Sequence, residues 1–298
     1  MLKRIGLFLA TNVAIIVVIS ILLSFFNVQP YMTRNGLNYQ SLFIYAAIVG
    51  FTGAFISLFI SKWMAKMAYS IEIIDRPGNR TEEWLFSTVK HLASENGIGM
   101  PEVGIYDSAE PNAFATGWNR NSALVAVSTG LLEYMDEDEL EGVLAHEVAH
   151  VANGDMVTLT LIQGVVNTFV IFFARIAAFL VSQFFRGNDE NESSMSSSFA
   201  YYGIAMLFEI LFGILATMIV MWFSRYREFR ADSGSADHVG SRKMIKALQK
   251  LQRLRETPVD PRGKEFATMK ISGRHTWMKF FSSHPPLEKR IAALEHHQ

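Results

Sequence analysis

Long apolar runs alternate with polar stretches along the chain. Four runs rich in Leu, Ile, Val and Phe cover about residues 5–26, 41–60, 157–185 and 199–223. An α-helix rises about 1.5 Å per residue, so about 20 apolar residues cross a hydrocarbon core of about 30 Å. The pattern therefore predicts four transmembrane helices in two hairpins, residues 1–61 and 156–223.

The first run has a competing interpretation as a cleaved signal peptide, because Lys3 and Arg4 precede it. Its apolar stretch is longer than the usual signal-peptide core of about 7 to 15 residues, and no A-x-A-like cleavage site follows it. We therefore expect a retained membrane anchor.

The stretch of residues 62–155 has the composition of a water-soluble domain. Its periodicity and turn residues predict a helix at 81–94 and strands at 103–106, 112–117 and 123–127. The second of these strands begins with Asn112, Ala113 and Phe114, which we expect to bind substrate. An edge strand beside a metal-binding helix can hold an extended peptide by backbone hydrogen bonds. An ordinary edge strand has the same sequence pattern.

Residues 136–151 carry the signals of a further helix. Asp136 can cap its first turn, and Glu139 completes a capping box with it. Asn153-Gly154 marks its end, because glycine readily adopts the conformation that closes a helix.

The sequence HEVAH at 146–150 within this helix matches the pattern H-E-x-x-H. His146 and His150 are four residues apart, so their imidazoles project from one face and can bind one metal ion. Glu147 lies beside them, where it can hold a metal-bound water and accept its proton, the general-base role in zinc-dependent peptide hydrolysis. Two histidines one turn apart also occur as plain surface or core residues, so the surrounding sequence must decide.

The segment after the fourth apolar run supplies a candidate third ligand. Glu228 lies in SRYREFRAD at 224–232, and an even number of membrane crossings returns it to the side and depth of His146 and His150. Two histidines and a glutamate are typical of catalytic zinc, which leaves a fourth position for water. Asp232, one turn further, can accept a hydrogen bond from a liganding histidine. In the competing interpretation Glu228 only pairs with neighbouring arginines.

His284 precedes two prolines, which hold it in an extended turn before a helix predicted at 288–295. That position can aim its ring at the metal site, as an electrophile for the oxygen that becomes negative during peptide hydrolysis. A simple helix-start turn is the alternative.

Composition limits the metal chemistry and the class of partner. The chain has no cysteine, so a metal must take nitrogen and oxygen ligands. Its net charge of -1 shows no broad basic field, which disfavours a nucleic-acid partner. We expect protein or peptide substrates and the lipid bilayer as partners.

Basic residues are distributed unevenly around the predicted spans. One side carries Lys3, Arg4, Lys62, Lys66, Arg76, Arg80, Arg225, Arg227 and Arg230. The other side has only Arg34 and Arg186 close to the spans. Because the side richer in Lys and Arg faces the cytoplasm, both termini and residues 62–155 are expected there.

Two charges lie inside the predicted spans, Arg175 in the third and Glu209 in the fourth. If both helices are straight, each charge lies about 15 Å below the outer surface. We therefore expect an interhelical ion pair. The alternative is that Arg175 snorkels outward while Glu209 is neutral or faces water.

Four motifs together resemble the HtpX heat-shock membrane zinc metalloproteases, which are related to the CaaX prenyl endopeptidases. The motifs are NAFATG at 112–117, HEVAH at 146–150, SRYREFRAD at 224–232 and SHPPL at 283–287. The resemblance covers nearly the whole chain. It implies a bacterial plasma-membrane endopeptidase with one Zn²⁺ held by His146, His150 and Glu228, and with Glu147 as catalytic base. It also implies a quality-control role, in which misfolded membrane proteins are cut on the cytoplasmic side.

These observations predict a mostly helical α+β membrane protein, with four transmembrane helices and a cytoplasmic zincin-like domain that contains a small β-sheet. Two sequence blocks, residues 62–155 and 224–298, build that domain. Two other functions compete: a catalytically silent membrane adaptor that keeps the metal for folding, and a transporter with a polar path. An intact Glu147 argues against the adaptor, and two ionisable residues inside the spans are few for a transporter.

Overall fold

The computed structural model describes the backbone of residues 2–33, 36–185, 194–256 and 284–296, and the side chains of 13–33, 36–185, 199–254 and 284–296. The helices are α1 Leu2–Phe25, α2 Tyr39–Tyr69, α3 Arg80–Glu95, α4 Thr129–Tyr134, α5 Glu137–Asn153, α6 Asp155–Phe185, α7 Ser194–Val239, α8 Ser241–Glu256 and α9 Leu287–Glu295. The strands are β1 Met32–Thr33, β2 Gly36–Leu37, β3 Glu72–Ile73, β4 Glu102–Tyr106, β5 Ala113–Gly117 and β6 Ala123–Ser128. Arg34, Arg186 and Ser283, which entered the sequence argument, lie outside the described residues.

The chain divides into two compact units. The membrane unit comprises Met1–Ser57 and Leu159–Val220, and the sheet unit comprises Leu58–Thr158 and Met221–Gln298. Each unit is therefore assembled from two separate parts of the sequence.

The membrane unit exposes large apolar side chains, as a surface in contact with lipid does. Ile16, Phe173 and Leu215 are examples, each at least 49% exposed. Among the described residues, three helices are long and apolar enough to cross a membrane: Tyr39–Tyr69, Asp155–Phe185 and Phe199–Val239. The prediction of a mostly helical membrane protein is thus confirmed. The first predicted span coincides with α1, whose described side chains cover only Val13–Phe25, so the count of four spans stays a prediction.

The two charged residues inside the spans contact each other. Arg175 Nη2 lies 3.0 Å from Glu209 Oε1, so the predicted ion pair between α6 and α7 is confirmed. The Arg175 guanidinium also lies 5.8 Å from the centroid of the Tyr202 ring, within the range of a cation–π contact.

The sheet unit is built on four strands in the order β3-β4-β6-β5. Strands β4 and β6 are parallel, and the two outer pairs are antiparallel. Every residue of β6 is buried. Val125 and Val127 belong to the core that contains α3 and α5, whereas Leu124 and Ala126 pack with residues that follow and end α2. A strand covered on both faces needs apolar residues at every position, which explains the continuous run of ALVAVS.

Helix α5, which carries the HEVAH motif, begins and ends at the residues that the sequence indicates. Asp136 and Glu139 form the predicted capping box, and Gly154 closes α5 with φ of 68°. Helix α3 differs slightly from the prediction, because Asn79 caps it by accepting a hydrogen bond from the Glu82 N–H. Strand β3 was missed, since two residues are too few to show a period of two.

A glycine in α5 allows α8 to approach this helix closely. A Cβ atom added at Gly142 would lie 2.9 Å from the carbonyl oxygen of Lys243. Ser235 Oγ of α7 donates a hydrogen bond to the Gly142 carbonyl oxygen at 3.1 Å. These contacts fix the second part of α7 against α5, which brings Glu228 to the two histidines.

Candidate metal centre

Two helices bring three potential metal ligands together. His146 and His150 come from α5, and Glu228 comes from the part of α7 that belongs to the sheet unit. Their ligand atoms all lie within 4.8 Å of one another. His146 Nε2 lies 3.2 Å from His150 Nε2. Glu228 Oε2 lies 3.6 Å from His146 Nε2, and Glu228 Oε1 lies 3.3 Å from His150 Nε2.

These separations fit a tetrahedral metal site. Zinc binds nitrogen and oxygen ligands at about 2.0–2.1 Å, so two ligands of a tetrahedron lie about 3.3–3.4 Å apart. The observed distances of 3.2, 3.3 and 3.6 Å bracket that value. The three side chains could therefore hold one metal ion.

Both imidazoles are oriented by a carboxylate on the side away from that point. His146 Nδ1 lies 2.9 Å from Asp232 Oδ1, and His150 Nδ1 lies 2.6 Å from Asp155 Oδ2. A histidine that gives its outer N–H to a carboxylate keeps the inner nitrogen unprotonated for a metal. The two rings are therefore held in the same tautomer by two different acids.

Arginine side chains hold both of these acids. Arg290 of α9 donates to Asp232 from Nε at 2.8 Å and from Nη2 at 2.6 Å. Its Nη1 also lies 3.3 Å from Glu228. Arg227 Nη1 donates to the Asp155 carbonyl oxygen at 2.8 Å. Bidentate arginine–carboxylate pairs fix geometry as well as charge, so Asp232 has little freedom to rotate away from His146.

The surroundings favour protonated histidines when no metal is bound. Burial disfavours the charged form of both rings, but hydrogen bonds to Asp232 and Glu228 raise the pKa of His146 above its ordinary value. Burial acts likewise on His150, yet hydrogen bonds to Asp155 and Glu228 raise its pKa to about 9. A metal must displace these protons, so its affinity falls as the pH falls.

Glu147 and His284 both lie close to the candidate ligands. Glu147 is partly buried, and its negative charge acts on both His150 and Arg290. The His284 side chain is 63% exposed, and its Nδ1 lies 2.7 Å from Glu228 Oε2. The structure therefore brings His284 to the site, but against the third ligand.

Comparison with known proteins agrees with this geometry. The model of peptidase family M48 matches residues 79–298, which include every residue of the candidate centre. The chain belongs to peptidase family M48. Two relatives named Protease HtpX match almost completely: that of Tolumonas auensis is 56% identical over 98% of this chain and 99% of its own length, and that of Idiomarina loihiensis is 55% identical over 99% of both. The resemblance to HtpX proteases is confirmed.

A solved structure shows the same fold. The crystal structure of Ste24p from S. mikatae superposes with a TM-score of 0.68 at 19% identity. The match covers 99% of this chain and 65% of the Ste24p chain. It therefore supports the M48 fold of this peptidase.

Strand β5 contains Ala113 and Phe114, which the sequence predicts to bind substrate. It is an edge of the described four-stranded sheet, as predicted, and it packs against α5. The Ser128 N–H donates to the Asn112 carbonyl oxygen at 2.9 Å. Paired and unpaired positions alternate in an antiparallel ladder, so Phe114 also pairs with β6, whereas the backbone groups of Ala113 and Ala115 point away from it.

This register narrows the predicted substrate residues. Of the three, Ala113 points its backbone N–H and C=O away from β6, whereas Asn112 and Phe114 direct their backbone groups to hydrogen bonds with β6. The Phe114 ring packs against Tyr69 and Tyr106, with centroids 5.3 and 5.7 Å away. Ala115, which sequence reasoning did not select, has the same outward backbone as Ala113.

Asp155 and Arg290 were also missed. Asp155 is the first residue of α6, where the sequence reads as the start of an apolar run. Arg290 shares the buried face of α9 with Leu287 and Leu294. An arginine at a core position of an amphipathic helix requires a buried acid, and that was the signal available in the sequence.

Proposed function

We propose that this M48 peptidase is a zinc-dependent endopeptidase of the bacterial inner membrane that cuts misfolded or damaged membrane proteins on the cytoplasmic side, in stress response and quality control. The observation that carries the metal assignment is the triangle of His146, His150 and Glu228 at tetrahedral spacing, with both outer histidine nitrogens held by acids. Nitrogen and oxygen ligands in such a site suit zinc.

When bound, zinc supplies Lewis acidity to the attacking water and to the substrate carbonyl. Glu147 accepts the proton of that water and later passes it to the leaving amine. Asp232 and Asp155 keep the two imidazoles aligned, and Arg290 keeps Asp232 in place. Glu228 needs no proton-transfer role in this scheme.

His284 stabilises the carbonyl oxygen as negative charge develops on it. Its exposed position and its 2.7 Å contact with Glu228 support this role. The extended substrate lies along β5 and pairs with the outward backbone groups of Ala113 and Ala115.

The catalytic role of Glu147 separates an active peptidase from a silent adaptor. Glu147→Gln should retain one zinc per chain and lose casein cleavage by about 100- to 10,000-fold, because a general base contributes that range. Glu137→Gln, an exposed change on the same helix, is the matched control and should remain within about twofold of wild type. Cleavage by Glu147→Gln within about tenfold of wild type contradicts the mechanism.

The orientation rests on the asymmetry of basic residues. A single cysteine at position 191 of this cysteine-free chain should react with an impermeant reagent from the periplasm, and one at Glu83 of α3 should react from the cytoplasm. The reverse pattern overturns the cytoplasmic placement of the centre.

A further inference from the structure

The turn between β5 and β6 carries an exposed tryptophan that packs on α2. Trp118 is 45% exposed, and its ring centroid lies 5.8 Å from that of Phe59. Phe59 is itself 58% exposed and lies three residues before Lys62, the first charge after the apolar part of α2. The contact therefore lies where the apolar part of α2 ends.

The same turn also lies near the start of another apolar helix, α6. The Arg120 guanidinium lies beside Gly154, 3.9 Å from where a Cβ atom would be. Gly154 directly precedes α6, whose apolar residues begin at Met156. One short turn thus packs on the end of the apolar part of α2 and lies near the start of α6, and all of these residues belong to the sheet unit.

The sheet is attached to the last turns of α2, which belong to the same unit. Lys62 and Lys66 lie 3.1 and 2.5 Å from the carboxylate of Glu102, the first residue of β4. Tyr69, at the end of α2, packs on Tyr106 with ring centroids 5.1 Å apart. Ion pairs and aromatic packing thus join β4 to the part of α2 that lies in the sheet unit.

The composition of the turn suits the bilayer interface. Tryptophan and arginine both concentrate there, because each has an apolar body and a polar tip. Trp63 and Trp222 are 49% and 63% exposed near the ends of the apolar parts of α2 and α7. Trp118 is a further exposed tryptophan, but it belongs to the sheet.

We propose that the β5–β6 turn, Trp118 to Asn121, rests in the interfacial layer of the membrane, so that the free edge of β5 leads to the bilayer surface. The edge would then receive the extended segment of a membrane-anchored protein next to its own span. Strand β5 is five residues long, so a chain paired with it reaches the interface after about 16 Å. The lipid contact stands independently, while the substrate role rests on the proposed peptidase function.

The lipid contact can be measured with nitroxide labels in proteoliposomes. A label at Arg120→Cys keeps Trp118 in place. Its accessibility to oxygen and to a water-soluble nickel complex should lie between those of labels at Glu83→Cys, on exposed α3, and Leu215→Cys, on the apolar surface of α7. Accessibility equal to that at Glu83 overturns the proposal.

The substrate role needs a second measurement. Trp118→Ser should lower the ratio of membrane-anchored reporter cleavage to casein cleavage by about fivefold or more in liposomes, and Trp118→Tyr should restore it, since tyrosine also favours the interface. An unchanged ratio refutes the substrate role even if the label reports lipid. If the wild-type protein cleaves neither substrate, the peptidase proposal is refuted, and the result of the nitroxide-label experiment is unaffected.

Discussion

The two units of the molecule each contain an arginine–carboxylate pair, and the pairs differ in their surroundings. Arg175 and Glu209 in the membrane unit share one 3.0 Å contact, and their side chains are 14% and 33% exposed. Arg290 and Asp232 in the sheet unit share two hydrogen bonds and are 6% and 3% exposed. Arg290 further contacts Glu228, and Asp232 contacts His146.

The difference indicates what each pair does. Arg175 contacts Glu209 and the Tyr202 ring, both on α7, so this pair joins two helices of the membrane unit. The Arg290 pair is one link of a chain that ends at two metal ligands. Removing the first should alter helix packing, and removing the second should alter the metal centre.

The largest expected difference is in zinc content and cleavage, between variants of Glu228 and Glu209. Glu228→Ala removes a ligand, so the purified protein should lose its zinc and its casein cleavage. Glu209→Ala should keep one zinc per chain, because Glu209 contacts no residue of the centre. Zinc content by mass spectrometry and cleavage on the same samples check both. Full zinc in Glu228→Ala would show that the third ligand is misassigned.

The two arginines give the next contrast. Arg290→Leu leaves Asp232 charged, buried and without its main partner, which should cost about 3–5 kcal/mol in unfolding free energy and weaken zinc binding. Arg175→Leu should leave zinc affinity unchanged. Thermal unfolding and competition with a zinc chelator measure these effects. Equal zinc affinity in the two variants would remove the distinction between the pairs.

The carboxylates behind the histidines should have smaller effects. Asp155→Ala and Asp232→Ala should each lower zinc affinity by about 10- to 100-fold without abolishing it. Asp138→Ala, which removes a surface partner of Lys246, is the control for loss of a negative charge on the same unit. An effect of Asp138→Ala as large as that of Asp155→Ala would indicate general electrostatics in place of histidine orientation.

The smallest effect concerns the membrane unit. In a double-mutant cycle of Arg175→Leu and Glu209→Leu, each single change should destabilise the protein in detergent, and the double change should recover about 0.5–2 kcal/mol. Strictly additive losses would show that the observed contact contributes no stability.

Local sequence patterns were sufficient for much of the centre. The four-residue spacing of His146 and His150 and the capping box at Asp136 are helical features, and the structure shows the helix with that cap. Glu228 could be selected because an even number of crossings returns the chain to the same side of the membrane. The edge strand was visible as an apolar stretch between turn residues.

The parts that the sequence left out depend on tertiary packing. Which backbone groups of β5 stay free depends on its register with β6, which Phe114 and Ala115 do not indicate by themselves. Arg290 reaches the centre because α9 packs on α8. No local sequence pattern predicts that these two helices contact each other. Asp155 was not selected from the sequence because an apolar run that predicts a membrane span follows it directly.

The central claim is that His146, His150 and Glu228 hold one zinc ion, and X-ray absorption at the zinc edge tests it most directly. Wild-type protein with one zinc per chain should show two imidazole neighbours and oxygen neighbours, all at about 2.0–2.2 Å. Glu228→Ala should show lower zinc occupancy and a depleted oxygen shell. A third imidazole in the wild-type spectrum, with His284 as a ligand, or an unchanged spectrum in Glu228→Ala, would contradict the account.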